Sequence, residues 1–317
     1  MKSRILFTLV VAASLAPVAL RAEEAGSGHY IPGATASFID MLPGRESFAY
    51  INAFTYYDGS ASGTKKLDFA GQIAANVDAT IYADTSIFLY ETPWKILGGQ
   101  YAAAVAVPYM WMEVQADVSV GPVSRSRRDT ASGIGDVQIM PLMLGWTKGD
   151  FKFGGNFSVY APTGDYEKGQ LANIGKNYWT FEPGVNFSWL SSKIGTEVTL
   201  FAGYDFSTKN DKTDYQSGDV VHIDATVAQH LPLFGGFAGL GVNGFYYQQV
   251  TGDSGSGAKL GDFEGRTTGV GPVLSYATKI GRDKKTDLVV EVKWLPEISV
   301  KSRLEGDIVW VKAALVF

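Results

Sequence analysis

The chain has no cysteine and only three histidines, His29, His222 and His230, in 317 residues. The first absence excludes a disulfide scaffold, a thiolate zinc site and a cysteine nucleophile. The second leaves no histidine-rich motif, so no metal ligand set and no cofactor is expected. Positive charge is also scarce: 27 Lys and Arg stand against 32 Asp and Glu, for a net charge of −5. A nucleic-acid-binding protein, which needs a basic face, is thereby excluded. After the leader no apolar run approaches the ~18 to 20 residues of a transmembrane helix, and helix-period patterning is nearly absent. Aromatic side chains, by contrast, are plentiful, with 18 Phe, 16 Tyr and 7 Trp.

Residues 1–22 read as a signal peptide. Lys2 and Arg4 form the positive region, residues 5–15 the apolar core, and a small-residue cleavage site ends at Ala22. The chain is therefore expected to be exported. Residues 23–44 follow as a separate segment. Phe38, Ile39, Met41 and Leu42 make it more apolar than a solvated tail, and a plug in or under a lumen or a disordered leader both accommodate it.

From residue 45 onward the dominant signal is alternation with period 2, the mark of strands with two different faces. In 177–190, Trp179, Phe181, Pro183, Val185, Phe187 and Trp189 oppose Thr180, Glu182, Gly184, Asn186 and Ser188. Twelve such segments lie near 46–57, 74–90, 99–120, 133–147, 150–161, 177–190, 194–208, 219–231, 237–250, 264–278, 286–295 and 307–317. The connections alternate in length. Long polar ones centre on 58–73, 121–132, 162–176, 209–218, 251–263 and 296–306, and short ones fall between. Short periplasmic turns, longer external loops and an even strand number belong to outer-membrane barrels. The expected fold class is thus all-β, a transmembrane antiparallel up-and-down barrel of about twelve strands over 45–317, in the bacterial outer membrane. In hydrocarbon every backbone polar group must be paired, which a closed sheet achieves. The aromatics then belong to interfacial girdles, with Trp94, Trp111, Trp146, Trp179, Trp189, Trp294 and Trp310 mostly near strand ends.

Several stretches resemble one family in order along nearly the whole mature chain. They include Gly28-His29-Tyr30-Ile31-Pro32-Gly33, Gly133-Ile134-Gly135-Asp136-Val137, Tyr160-Ala161-Pro162-Thr163-Gly164-Asp165-Tyr166 and Asn173-Ile174-Gly175-Lys176-Asn177-Tyr178-Trp179. Tyr215-Gln216-Ser217-Gly218, Gly271-Pro272-Val273-Leu274-Ser275-Tyr276 and Arg303-Leu304-Glu305-Gly306-Asp307 continue the match. The family is that of outer-membrane proteins labelled "putative MetA-pathway of phenol degradation". The resemblance implies a barrel associated with aromatic or other hydrophobic compounds and taking up small molecules; it supplies no agreed functional residues.

Taking the polar face of each strand as inward gives a lumen lined by Asp78, Asp84, Lys152, Glu182, Glu197, Asp205, His222, Asp224, Glu291 and Lys293. Such charges either set the selectivity of a pore or fill a narrow barrel as a self-satisfied network. Arg125, Arg127 and Arg128 form the densest positive cluster, a candidate contact for lipopolysaccharide phosphates or anionic solutes, against the plain alternative of a solvated loop. Val309, Val311, Ala313, Leu315 and Phe317 alternate up to an aromatic C-terminus, which resembles the signal read by the barrel-assembly machinery. Partners expected are thus outer-membrane lipid, lipopolysaccharide, that machinery and a small solute.

Two motifs suggest chemistry and lose it on context. Gly239-Leu240-Gly241-Val242-Asn243-Gly244 has dinucleotide-site spacing, but strand-like Phe245-Tyr246-Tyr247 follows where a helix is needed. Gly252-Asp253-Ser254-Gly255 resembles a serine-protease nucleophile segment without the rest of that pattern. The reading is a non-enzymatic channel for passive uptake of small, hydrophobic or aromatic molecules. An outer-membrane lipase or acyltransferase and a closed structural or adhesive barrel are the alternatives.

Overall fold

The computed structural model describes residues 27–62, 65–120, 123–260 and 264–317. The expected signal peptide, residues 1–22, lies outside the described residues. Among the described residues fourteen strands occur in one antiparallel sheet: β1 (Ser47–Ala61), β2 (Leu67–Phe69), β3 (Gln72–Ile96), β4 (Gly99–Val120), β5 (Val123–Ile134), β6 (Val137–Lys148) and β7 (Phe151–Ala161). They continue as β8 (Thr180–Leu190), β9 (Thr196–Ser207), β10 (Val220–Leu233), β11 (Gly236–Gln249), β12 (Arg266–Ile280), β13 (Thr286–Lys301) and β14 (Glu305–Val316). Twelve of them close the barrel: β1 pairs with β14 on one side and β3 on the other, and β3 pairs with β4. Among the described residues these twelve strands form a closed ring in which each pairs with two neighbours, as a bilayer requires.

β2 and β5 are additions to the expected twelve. β5 pairs with the upper half of β4, from Tyr109 to Val120, and β6 with its lower half. The segment 121–132 is therefore mostly one arm of a tall hairpin, not the loop that its polarity suggested. The segment 296–306 differs in the same way, since β13 runs to Lys301 and only residues 302–304 turn. Strands rising past the membrane lose the lipid-facing apolar residues that mark them in sequence. Above the barrel the tall wall closes a second core, in which Val114, Ala116 and Val118 of β4 pack with Leu67, Phe69, Leu171 and Ala172.

The alternation of β8 has the expected sense: Glu182 is buried inside, while Trp179 and Val185 are exposed. Exposed aromatics mark both ends of the wall, with Trp94, Phe151, Phe234 and Phe237 toward the short turns and Trp111, Trp179, Tyr204 and Trp294 toward the long loops. These are the interfacial positions that such rings favour. Trp310 is an exception. It is buried in the lumen and its indole N–H donates to the Pro32 carbonyl at 3.3 Å.

Two long loops are tied together on the outer side. The Asp253 carboxylate accepts from Gly218 N at 2.8 Å, from Gln249 Nε2 at 2.6 Å and from the Tyr215 hydroxyl. Ser254, beside it, exchanges backbone hydrogen bonds with Gln216. Gly252-Asp253-Ser254-Gly255 is thus a loop-locking element. The Asp214 carboxylate completes the tie through the Lys209 ammonium at 2.7 Å and the Ser256 hydroxyl at 2.6 Å. Those donors, Lys209 first, hold the Asp214 carboxyl below the usual carboxylate range. A depressed folded-state pKa adds stability that is present above the unfolded value, about 4, and is lost as pH falls from there toward the depressed value. The tie is therefore expected to persist unchanged from neutral pH to about pH 5 and to loosen only in stronger acid. Limited proteolysis of 209–218 across pH checks this, and Asp214→Asn is expected to expose the loop already at pH 7.

Candidate functional site

The lumen is occupied along its length by residues 27–44. At the long-loop end Ser27 accepts from Lys176 Nζ at 2.6 Å, and His29 meets Asp136 Oδ2 at 2.8 Å and Thr180 Oγ1 at 2.7 Å. At the short-turn end Gly44 N donates to Glu91 Oε2 at 3.2 Å and Lys152 Nζ donates to the Leu42 carbonyl at 2.7 Å. β1 begins at the short-turn end, and the chain preceding it threads the barrel from the opposite mouth.

Between those ends the segment is pinned to one side. Tyr30 donates its hydroxyl to Asp224 Oδ2 at 2.5 Å, and Thr35 N donates to the same oxygen at 3.2 Å. Phe38 N donates to Glu197 Oε1 at 2.8 Å, whose carboxylate also meets His230 Nε2 at 2.7 Å. Lys293 Nζ donates to the carbonyls of Gly33 at 3.2 Å and Thr35 at 2.8 Å. Lys312 Nζ pairs with Asp40 at 2.6 Å, and Glu291 lies 3.4 Å from Lys293 and 3.8 Å from Lys312. A backbone segment removed from water needs every N–H and C=O satisfied. The buried charges of β9, β10, β13 and β14 supply the partners.

The opposite wall is different. The inward residues of β1, β3 and β4 include Ala53, Ile81, Ala83, Ile87, Leu89, Ala104 and Ala106, which border a cavity of about 420 Å³ beside the segment. Asp78 and Asp84 are consequently not in the lumen: both are exposed on the outer face, where Asn52 donates to Asp84. The expectation of their inward placement is corrected here. Alternation fixes that two faces differ, not which is inside, and on β3 the small apolar residues point inward. Of the other expected lumen residues, Glu182, Glu197, Asp205, His222, Asp224, Glu291 and Lys293 are buried within the barrel and Lys152 is half-buried against Leu42.

The lumen is therefore two-sided. One wall is charged and largely covered by the segment; the other is apolar and gives the free space most of its apolar border, although Glu182 and Lys312 of the charged side also reach that space. A solute moving between them would lose little by leaving water if it were itself apolar, while an ion would meet no partner on the open wall. Lys312 and Glu91 belong to the charged lining and were not expected from the sequence, although Lys312 stands on the inward positions of a strand whose outward ones are plain. Ser254, in the loop tie, and His222, inside the barrel, are not joined by any described hydrogen bond.

The arginines do not make one patch. As neighbours on a strand they split over two faces. Arg127 Nη2 pairs with Asp129 at 2.9 Å and its Nη1 donates to the Gly169 carbonyl at 3.1 Å. Arg128, on the other face, pairs with Glu113 at 2.5 Å, and Arg125 is exposed. Phe317 stands at the end of β14, its N–H donating to the Phe48 carbonyl at 2.9 Å with the two rings stacked 6.3 Å apart.

Comparison with known proteins agrees with this architecture. A family described as "Putative MetA-pathway of phenol degradation" matches residues 61–313. No curated protein matches the chain. Among solved structures, an outer-membrane channel from Pseudomonas putida F1 is 14% identical with a TM-score of 0.60, covering 91% of this chain and 100% of that one. The β-domain of the Bordetella autotransporter BrkA is 9% identical with a TM-score of 0.46, covering 86% and 99%.

Proposed function

From the chain's membership of the family described as "Putative MetA-pathway of phenol degradation", we propose that this outer-membrane barrel is a channel through which small apolar or aromatic molecules enter passively. The observation that carries the reading is the two-sided lumen: a cavity of about 420 Å³ bordered by Ala53, Ile81, Ala83, Ile87 and Ala106 on one side and, on the other, by the pinned segment with Glu182 and Lys312 beside it. A monocyclic aromatic fits a space of that size, near the lower end of ordinary ligand sites. The apolar wall receives it without leaving a polar group unpaired. No energy source is needed, since the solute runs down a gradient that metabolism maintains, and no catalytic step is part of the account.

The reading is tested by initial uptake of a radiolabelled aromatic hydrocarbon into Gram-negative cells that carry the protein in their outer membrane, measured below saturation. Uptake several-fold faster than in cells lacking it is expected, with no gain for a sugar of similar mass. Equal rates would contradict the proposal.

The proposal extends to partners. Outer-membrane lipid surrounds the aromatic girdles, Arg125 is the exposed member of the arginine cluster for lipopolysaccharide phosphate, and Phe317 is the residue read by the barrel-assembly machinery. Deleting Phe317 removes one backbone hydrogen bond and one exposed ring, too little to unfold a closed barrel. Its deletion is nonetheless expected to lower the heat-modifiable fraction in the outer membrane several-fold while leaving refolding in detergent unchanged. A parallel loss in both would assign Phe317 to stability.

A further inference from the structure

One buried cluster in the charged wall has no role in the account so far, although Tyr30 of the pinned segment stacks on one member and another, Glu182, reaches the cavity. Glu182 on β8, Asp205 on β9 and His222 on β10 come from three adjacent strands, and one ligand atom of each lies within 4.8 Å of the others. Their exposures are 2%, 5% and 0%. Neither His222 nitrogen makes a hydrogen bond, and Nε2 has only a long ion-pair contact, 3.4 Å, with Asp205 Oδ1, which likewise makes no hydrogen bond. Glu182 spends one oxygen on the Tyr160 hydroxyl at 2.8 Å.

The backbone makes room for this convergence. His222 pairs across to Gly203, and Gly203 to Gly184. A Cβ at Gly203 would stand 2.4 Å from both Cε1 and Nε2 of the imidazole. The ring therefore lies over the bare backbone of β9, the strand of Asp205, next to β8, the strand of Glu182. Tyr30 covers its other face, stacked at 3.6 Å between centroids. The described ion pairs bring neither Glu182 nor Asp205 to a lysine or arginine; Lys293 and Lys312 are spent on Glu291, Asp40 and backbone carbonyls. Asp224, two residues along β10, adds a third carboxylate, with Oδ2 held by Tyr30 and Thr35 and Oδ1 unpartnered. Buried carboxylates with no lysine or arginine partner are costly, and buried imidazole nitrogens without a hydrogen bond are costly as well.

We propose that Glu182, Asp205 and His222 form a binding site for one divalent transition-metal ion, zinc in the first place, set in the barrel wall behind Tyr30. One imidazole nitrogen and two carboxylate oxygens are a zinc donor set, with water in the fourth position. Around a tetrahedral zinc with bonds of about 2.0–2.2 Å, ligand atoms stand roughly 3.4 Å apart. The present separations reach that by small side-chain rotations. A bound ion offsets the carboxylate charge and fixes the ring on which Tyr30 stacks, so that it also fastens the threading segment to the charged wall.

The test is titration of the full-length mature protein, folded in detergent and freed of metal, with zinc alone, followed by zinc X-ray absorption on the unmodified complex. One zinc per barrel is expected, in a shell of nitrogen and oxygen with a single imidazole. Asp205→Asn and His222→Ala are each expected to weaken binding at least about 100-fold, since even supporting partners of metal ligands cost about 10- to 100-fold. His29→Ala and His230→Ala are expected to leave it unchanged. Heat-modifiable mobility reports folding of each variant; if His222→Ala fails to fold, the absorption spectrum and Asp205→Asn decide. No saturable zinc binding, a shell without imidazole, or binding that follows His29 or His230 would each overturn the site.

Discussion

Removal of residues 27–42 is expected to turn the barrel into a conducting pore with single-channel steps several-fold larger than those of the intact protein. Twelve strands spaced about 4.8 Å apart and tilted about 40° enclose a cylinder roughly 24 Å across between backbones. The threading segment, with Tyr30, Phe38 and Met41 among its side chains, takes much of the interior that the wall's own side chains leave. Its removal also strips the segment's own hydrogen bonds from Asp224, Glu197, Lys293 and Lys312, so that water replaces that part of their partners. The truncated pore is expected to favour ions over apolar solutes. Unchanged conductance would mean that the segment does not limit passage.

Ala83→Asp is expected to abolish most of the aromatic uptake, by at least about tenfold, while the barrel remains assembled. A charge on the apolar wall makes that wall unfavourable to an apolar solute, and a penalty of even 1.4 kcal/mol corresponds to a factor of about ten. The neighbouring residue is the control. Asp84 is exposed on the outer face, so Asp84→Asn removes a real charge yet is expected to leave uptake unaltered. The pair separates the lumen from the outer surface by a single step along β3. Equal losses in both variants, or loss only in Asp84→Asn, would invert the assignment of faces.

That inversion is also where sequence reading and structure part. The alternation of 177–190 identifies β8 and its inward Glu182 because its apolar residues are large aromatics suited to lipid. The alternation of 74–90 identifies β3 equally well, but its apolar residues are small ones such as Ala79 and Ala83, and they face the lumen. Period 2 carries no sign. A polar lumen was the general expectation, and it fails on the wall that borders the solute space. Barrel closure and strand number were legible because each strand repeats the same local signal. The pinning of residues 27–44 was not, because its partners are remote: Tyr30 meets Asp224 and Lys293 meets Thr35, separated by nearly two hundred residues or more. Only the stickiness of Phe38, Ile39, Met41 and Leu42 hinted at it. The cluster of Glu182, Asp205 and His222 was hidden for the same reason, since no spacing along the chain reveals three residues brought together by sheet register.

The most direct test of the solute path uses the absence of native cysteine. With Ala106→Cys as the sole thiol, a small aromatic methanethiosulfonate is expected to react from the lumen and suppress aromatic uptake, and a reductant is expected to restore it. The same label on Asp84→Cys, outside the barrel, is expected to have no effect. Uptake that persists with Ala106→Cys fully labelled would contradict passage along the apolar wall.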